Sequence, residues 1–342
     1  MTRILQTGRD TDTGRKRRRN EDALVCEPPL FAVADGMGGA QAGEIASNLA
    51  ASALREDDGG GGGERHVAEL IQEANRRVFQ RSSEDASASG MGTTITAALV
   101  EDGEVAIGHV GDSRAYLIRD GALEQLTEDH SLVAELVRSG KLSPEEADTH
   151  PQRSVITRAL GTDPDVDVDT FTIETHPGDI FMLCSDGLTS MVDDDRILET
   201  VERHRDNLQQ AAKALIRAAN KGGGEDNITV VFFEIGDDGE EPLEETARYP
   251  VLDDETSSLE PLDEDTLDEL DDVRPPAVTT MVVPPEETGK FAAAIDRGAA
   301  GGEAEQPEPR PKSSGPALVP LLVLMLIVLA ITAIVVYTLA GR

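Results

Sequence analysis

The chain has 342 residues, with 66 acidic side chains against 31 lysines and arginines and a formal net charge of -35 at pH 7. A surface this acidic excludes non-specific nucleic-acid binding, because phosphate backbones attract basic surfaces. The two cysteines, Cys26 and Cys184, form neither a zinc-ligand spacing nor a disulfide framework, and both are expected to be small buried hydrophobes in a reducing cytosol.

Residues 1–13 are polar and carry no secretory signal. Leu30 to Ala34 is an apolar run that reads as a strand. Residues 40–54 are Ala-rich and amphipathic, and a second helical pattern runs from Val67 to Ser82 after the Gly59 to Gly63 tract. Strand patterns follow at Thr93 to Val100, Glu104 to Val110 and Arg114 to Arg119. The turns between them are short, which predicts antiparallel pairing. Helices are expected over Ser131 to Gly140, from Ser143, over Asp193 to Arg203 and over Asn207 to Asn220. Strands are expected near Val166 to Ile173, Ile180 to Cys184 and Ile228 to Ile235. Helix pair, strands, helix pair and strand predict an α+β layered sandwich.

Composition divides the chain into a domain over 1–236, a linker over 237–315 and a tail over 316–342. The linker holds 23 acidic and 6 basic side chains, and its apolar content is too low to offset the cost of ordering. Ala317 to Ala340 is 24 residues without a charge, about 36 Å as a helix. That spans a hydrocarbon core of about 30 Å with some tilt. Arg310 and Lys312 precede it and only Arg342 follows, which predicts a single-pass anchor with the large N-terminal part in the cytoplasm.

The chemistry is carried by aspartates beside turn residues: Asp35 in Ala-Asp-Gly-Met-Gly-Gly, Asp112 in Gly-Asp-Ser-Arg, Asp186 in Cys-Ser-Asp-Gly and Asp226 in Glu-Asp-Asn. A lone Asp-Gly is a common turn, and Asp102-Gly103 and Asp120-Gly121 read that way. Several of the others end apolar strands, where carboxylates can converge. Converging carboxylates repel unless a cation sits among them, and an oxygen ligand set favours magnesium or manganese. This pattern predicts a metal-dependent hydrolase.

Six ordered motifs carry a resemblance over residues 1–236. They are Asp12-Thr13-Gly14 with Arg17 and Asn20-Glu21-Asp22, then ADGMGG at 34–39, GMGTT at 90–94, GDSR at 111–114, CSDG at 184–187 and EDNIT at 225–229. Together they resemble the bacterial metal-dependent serine/threonine protein phosphatases of the protein phosphatase 2C type. The resemblance implies a four-layer α/β/β/α sandwich of two antiparallel sheets flanked by helices. It implies two manganese or magnesium ions, with a third bound more weakly. Asp35 would bridge two metals, with the Gly36 carbonyl as a further ligand. Asp186 and Asp226 would complete the first metal. Glu21 and Asp22 would lie near the second, often through water, and Asp112 would bind the third. Arg17 would grip the substrate phosphate; the other basic residues of the Arg15 to Arg19 run read as solvated charge.

The chemistry of these groups agrees. An all-carboxylate site repels a phosphomonoester, two divalent cations reverse that field, and a metal-held water supplies hydroxide near neutral pH. An arginine fork matches two phosphate oxygens, and no phosphoenzyme is expected. The family's eukaryotic members often place a histidine after the bridging Asp-Gly; this chain has Met37. A metal-bound water, His130 or His150 is then the candidate acid, and both histidines read primarily as loop residues. The expected partners are phosphorylated proteins, serine/threonine kinases and their substrates, and the membrane. A phosphatase of an anti-sigma-factor antagonist is an alternative. So is an inactive phosphoprotein-binding protein, against which every ligand position remains acidic.

Overall fold

The computed structural model describes residues 2–38, 42–57, 61–85, 88–236 and 281–282. One five-stranded sheet is ordered β1 (Arg3–Asp12), β12 (Ile228–Gly236), β11 (Ile180–Cys184), β7 (Arg114–Arg119) and β8 (Ala122–Gln125). The second runs β10 (Asp169–Glu174), β6 (Glu104–Val110), β5 (Ile95–Glu101), β3 (Leu30–Met37) and β2 (Asp22–Glu27), with β4 (Gly92–Thr93) added to β3. Every ladder in both sheets is antiparallel.

Side chains alternate across each strand, so each sheet has two buried faces. Phe31, Val33, Ala98 and Ile107 of one sheet meet Leu117, Phe181, Val231 and Phe233 of the other. Phe233 stacks on Phe31 at 4.2 Å and on Phe181 at 5.0 Å. The opposite face of the β3 sheet, including Ala32 and Ala97, packs under α1 (Ala42–Arg55) and α2 (Gly63–Glu84). The opposite face of the β12 sheet, including Met182 and Phe232, packs under α6 (Asp194–Arg203) and α7 (Leu208–Gly222). The sandwich therefore has the expected α/β/β/α layering. Cys184 lies in this last layer, fully buried, and burial pushes its thiol up to about 12. Cys26 is half-buried, less enclosed than expected.

The Asp-Gly turns behave as expected. Gly103 (φ 88°) joins β5 to β6, and Asp120 (φ 53°) and Gly121 (φ 75°) join β7 to β8. Three strands carry no apolar signal strong enough to predict: β1 is half exposed, β2 alternates, and β8 is mostly exposed. The expected strand from Thr93 breaks at Thr94 into β4 and β5. The strand expected from Val166 starts at Asp169, where it first reaches β6. The end of the glycine tract is helical: Gly63 opens α2, and its N–H donates to Glu101 Oε2 at 2.6 Å.

Between β8 and β10 the chain forms a cover made of α3 (Leu132–Arg138), α4 (Pro144–Asp148) and β9 (Val155–Ile156). Residues 281–282 of the expected disordered linker form β13 (Met281–Val282), paired parallel with β9. The rest of 237–315 and the apolar run 317–340 lie outside the described residues. Among the described residues no helix is long and apolar enough to cross a membrane.

Candidate metal centre

The acidic residues named from the sequence meet at one end of the sandwich. Asp22 and Asp35 are direct partners across the β2–β3 ladder. Asp186 opens the short helix α5 (Asp186–Thr189), straight after β11. Asp226 stands two residues before β12, after the left-handed glycine Gly224 (φ 55°). Asp112 follows β6 through Gly111 (φ 115°). Asp22, Asp186, Asp226 and Asp112 all raise the proton affinity of Asp35.

The break at Thr94 holds Asp35 in place. The Asp35 N–H donates to the Thr94 hydroxyl at 3.0 Å, and the Asp35 carbonyl accepts from the Thr94 N–H and the Thr93 hydroxyl, each at 2.9 Å. Thr94 Oγ1 also lies 2.8 Å from Ser113 Oγ, which ties Asp35 to the Asp112 loop. On the other side, the Gly36 N–H donates to the Glu21 carbonyl at 3.1 Å. A Cβ on Gly43 would meet Glu21 Oε2 at 2.5 Å and the Gly36 carbonyl oxygen at 2.8 Å. Both oxygens therefore crowd the start of α1, which only a glycine permits.

The electrostatics are those of carboxylates raised first by burial and then by mutual repulsion. Burial pushes Asp22 up to about 7, against hydrogen bonds from the Thr229 and Ser185 hydroxyls at 2.6 and 2.9 Å. Burial, then Asp226, pushes Asp186 up to about 6. Burial, then Asp22, holds Asp35 well above the carboxylate range, and burial, then Asp186, does the same to Asp112. Glu21 is raised by burial as well. Asp22 Oδ1 and Asp186 Oδ1 are buried without a hydrogen-bond partner in the protein. Buried carboxylate oxygens need a donor or a cation, and a cluster of oxygens fits a hard divalent ion. The residues therefore fit the expected metals. Among the described residues no three acidic or imidazole groups already stand in ligand geometry. Arg17 Nη2 holds Asp226 Oδ2 at 2.7 Å, and the Asp186 carboxylate stands close enough to raise the proton affinity of Asp35.

Arg17 is the half-buried member of the basic run; Arg15, Lys16, Arg18 and Arg19 are exposed. Its loop is pinned by Asn227, whose side chain donates to the Thr13 and Arg19 carbonyls at 2.9 Å and accepts from the Glu21 N–H at 2.8 Å. Sequence reasoning gave no role to Thr94, Ser185, Asn227 or Thr229. The signal was their place inside the quoted GMGTT, CSDG and EDNIT motifs.

Asp112 and Asp186 line a groove of about 1080 Å³ together with Val133 and Arg153 of the cover and Met191 beyond α5. His150 caps its own turn, with Nδ1 accepting from the Gln152 N–H at 3.1 Å. His130 is not an exposed loop histidine. It is 5 % exposed and both ring nitrogens are engaged, so it is not free to protonate a leaving group.

A family model described as protein phosphatase 2C matches residues 14–221. The serine/threonine phosphatase stp of Listeria monocytogenes is 42% identical over 236 residues, covering 66% of this chain and 93% of that protein. The crystal structure of the Mycobacterium tuberculosis serine/threonine phosphatase PstP superposes with a TM-score of 0.65 at 39% identity, covering 68% of this chain and all of that one. A structure of the PstP catalytic domain in complex with two manganese ions gives a TM-score of 0.64 at 37% identity, covering 69% of this chain and all of that one.

Proposed function

The chain belongs to the protein phosphatase 2C family and is a serine/threonine protein phosphatase, and from that premise we propose that it hydrolyses phosphoserine and phosphothreonine on proteins by direct attack of water. The observation that carries this reading is the convergence of Asp22, Asp35, Asp186 and Asp226 with two unpartnered carboxylate oxygens, beside one arginine. Asp35, Asp186 and Asp226 would hold one manganese or magnesium ion, and the Gly36 carbonyl, beside Glu21, would serve the ion that Asp35 shares with Glu21 and Asp22. Asp35, Glu21 and Asp22 would hold a second, and Asp112 a third. Bound there, the ions would offset the carboxylate charge and lower the pKa of a coordinated water towards neutrality.

The chain's own residues do the rest. Thr93 and Thr94 fix the Asp35 backbone, which sets the direction in which its side chain leaves the strand. Ser185 and Thr229 orient Asp22. Arg17, fixed by the Asn227 clamp, presents its fork to two phosphate oxygens. No serine or cysteine nucleophile is required. The groove leading from Asp112 and Asp186 takes the polypeptide around the phosphorylated residue, and Val133 and Met191 offer apolar contact along it.

The enzyme's counterparts are serine/threonine kinases and the proteins they phosphorylate. The apolar run 317–340 anchors it in the membrane with the catalytic domain on the cytoplasmic side, a reading that rests on sequence. A linker with a reach of roughly 50 Å would raise the local concentration of membrane-bound phosphoproteins. Phosphate release from phosphothreonine, phosphoserine and phosphotyrosine peptides of one sequence tests the activity. The first two should be hydrolysed and the third spared; equal rates on all three would contradict it.

A further inference from the structure

His130 is a buried group that the reaction does not use, and it is joined twice to one residue. Its backbone N–H donates to the Gly111 carbonyl at 2.7 Å, and its Nδ1 accepts from the Gly111 N–H at 3.0 Å. With Nδ1 an acceptor, the proton sits on Nε2, which donates to Asp169 Oδ2 at 3.0 Å. Asp169 Oδ1 in turn accepts from Arg158 Nη1 at 2.5 Å, and the Thr157 N–H donates to the His130 carbonyl at 2.8 Å. The ring also packs on buried His109, with centroids 4.8 Å apart.

Gly111 is the residue through which β6 turns into Asp112. Its φ of 115° is left-handed, and a Cβ there would meet Thr94 at 2.5 Å. A glycine this mobile in principle needs external bonds to fix its peptide. Ser113, on the far side of Asp112, is held by the Thr94 hydroxyl at 2.8 Å, and its carbonyl accepts from Thr96 at 2.8 Å. On the near side the bonds that hold the Gly111 peptide come from His130. The same histidine is tied to Thr157 and Asp169 at the base of the cover over the groove.

We propose that His130 is a positioning residue: its Nδ1 fixes the Gly111 peptide and so aims the Asp112 carboxylate into the centre. This rests on the reading of Asp112 as a ligand of the third metal. Loss of Nδ1 leaves the Gly111 N–H buried and unpaired and lets the Val110–Gly111 peptide rotate, with only the His130 N–H left to hold the Gly111 carbonyl. His130→Asn keeps an acceptor in the Nδ1 place, because the Asn Oδ1 is attached to Cγ as Nδ1 is, while it gives up the Asp169 contact.

The test uses the full chain and four variants: His130→Ala, His130→Asn, Asp112→Ala and the His130→Ala/Asp112→Ala double variant. For each, kcat and KM on a phosphothreonine peptide, manganese binding by calorimetry and thermal melting are measured. His130→Ala should lose roughly tenfold to a hundredfold in kcat, the effect of one buried hydrogen bond, with KM nearly unchanged. It should also weaken the weakest class of manganese sites. His130→Asn should recover most of both losses. In the Asp112→Ala background, His130→Ala should add no further loss in kcat, because neighbours acting as one unit are not additive. Equal fold losses in both backgrounds, or a folded His130→Asn no better than His130→Ala, would overturn the positioning role. Asp112→Ala with wild-type kcat and manganese binding would instead remove the ligand reading on which the role rests.

Discussion

Asp186→Asn should separate the stability of this protein from its activity. Burial and Asp226 push the Asp186 carboxyl up to about 6 in the folded protein, against about 4 in an unfolded chain. The fold thus prefers the protonated acid. The favourable contribution is full below pH 4 and is lost as the pH rises through 6. A difference of about two units corresponds to about 3 kcal/mol at pH 7.5. Asn has the same shape and never ionises, so the variant escapes that loss. In excess EDTA at pH 7.5 its melting temperature should exceed the wild type's by about 6–12 °C, for a domain of this size. At pH 4 the two should melt together. Adding manganese should reverse the order, because the wild type gains a ligand-bound state and the variant lacks one of its ligands. Differential scanning calorimetry with and without EDTA reads both effects, and a peptide assay should show turnover lost in the variant. A variant less stable than wild type in EDTA at pH 7.5, or one that manganese stabilises equally, would refute the reasoning.

Arg17→Ala should raise KM for a phosphothreonine peptide roughly 10- to 150-fold, the effect of a charge-assisted hydrogen bond, with a smaller change in kcat; steady-state kinetics would show a kcat-only loss if the assignment were wrong. The full-length chain should resist carbonate extraction from membranes, whereas a chain ending at residue 315 should be soluble and equally active on peptide. Recovery of the full-length chain in the soluble fraction would refute the anchor.

The layered sandwich was legible because its central strands, such as Ile180 to Cys184 and Ile228 to Ile235, are buried on both faces and read as apolar runs. The edge strand β1 was not, because only Gly8 among its residues is buried and its sequence is polar. The carboxylates were legible as motifs, since each needs a turn residue beside it at a strand end. Their supports were less so. Thr94 breaks a strand that its β-branched neighbours would continue, and only the register against Asp35 shows why. Gly43 reads as a helix residue until Glu21 and the Gly36 carbonyl are placed against it. His130 read as a loop histidine because nothing local in Asp-His-Ser reveals burial. Its partners Gly111 and Asp169 lie 19 and 39 residues away.

The central claim is that Asp35 holds the metals that make water a nucleophile towards phosphothreonine. Its most direct test is phosphate release from a phosphothreonine peptide by the full chain, stripped with EDTA and then titrated with manganese, for wild type against Asp35→Asn. No turnover is expected in EDTA, with full recovery on adding manganese in the wild type and none in the variant. Turnover in excess EDTA, or wild-type rates from Asp35→Asn, would contradict it.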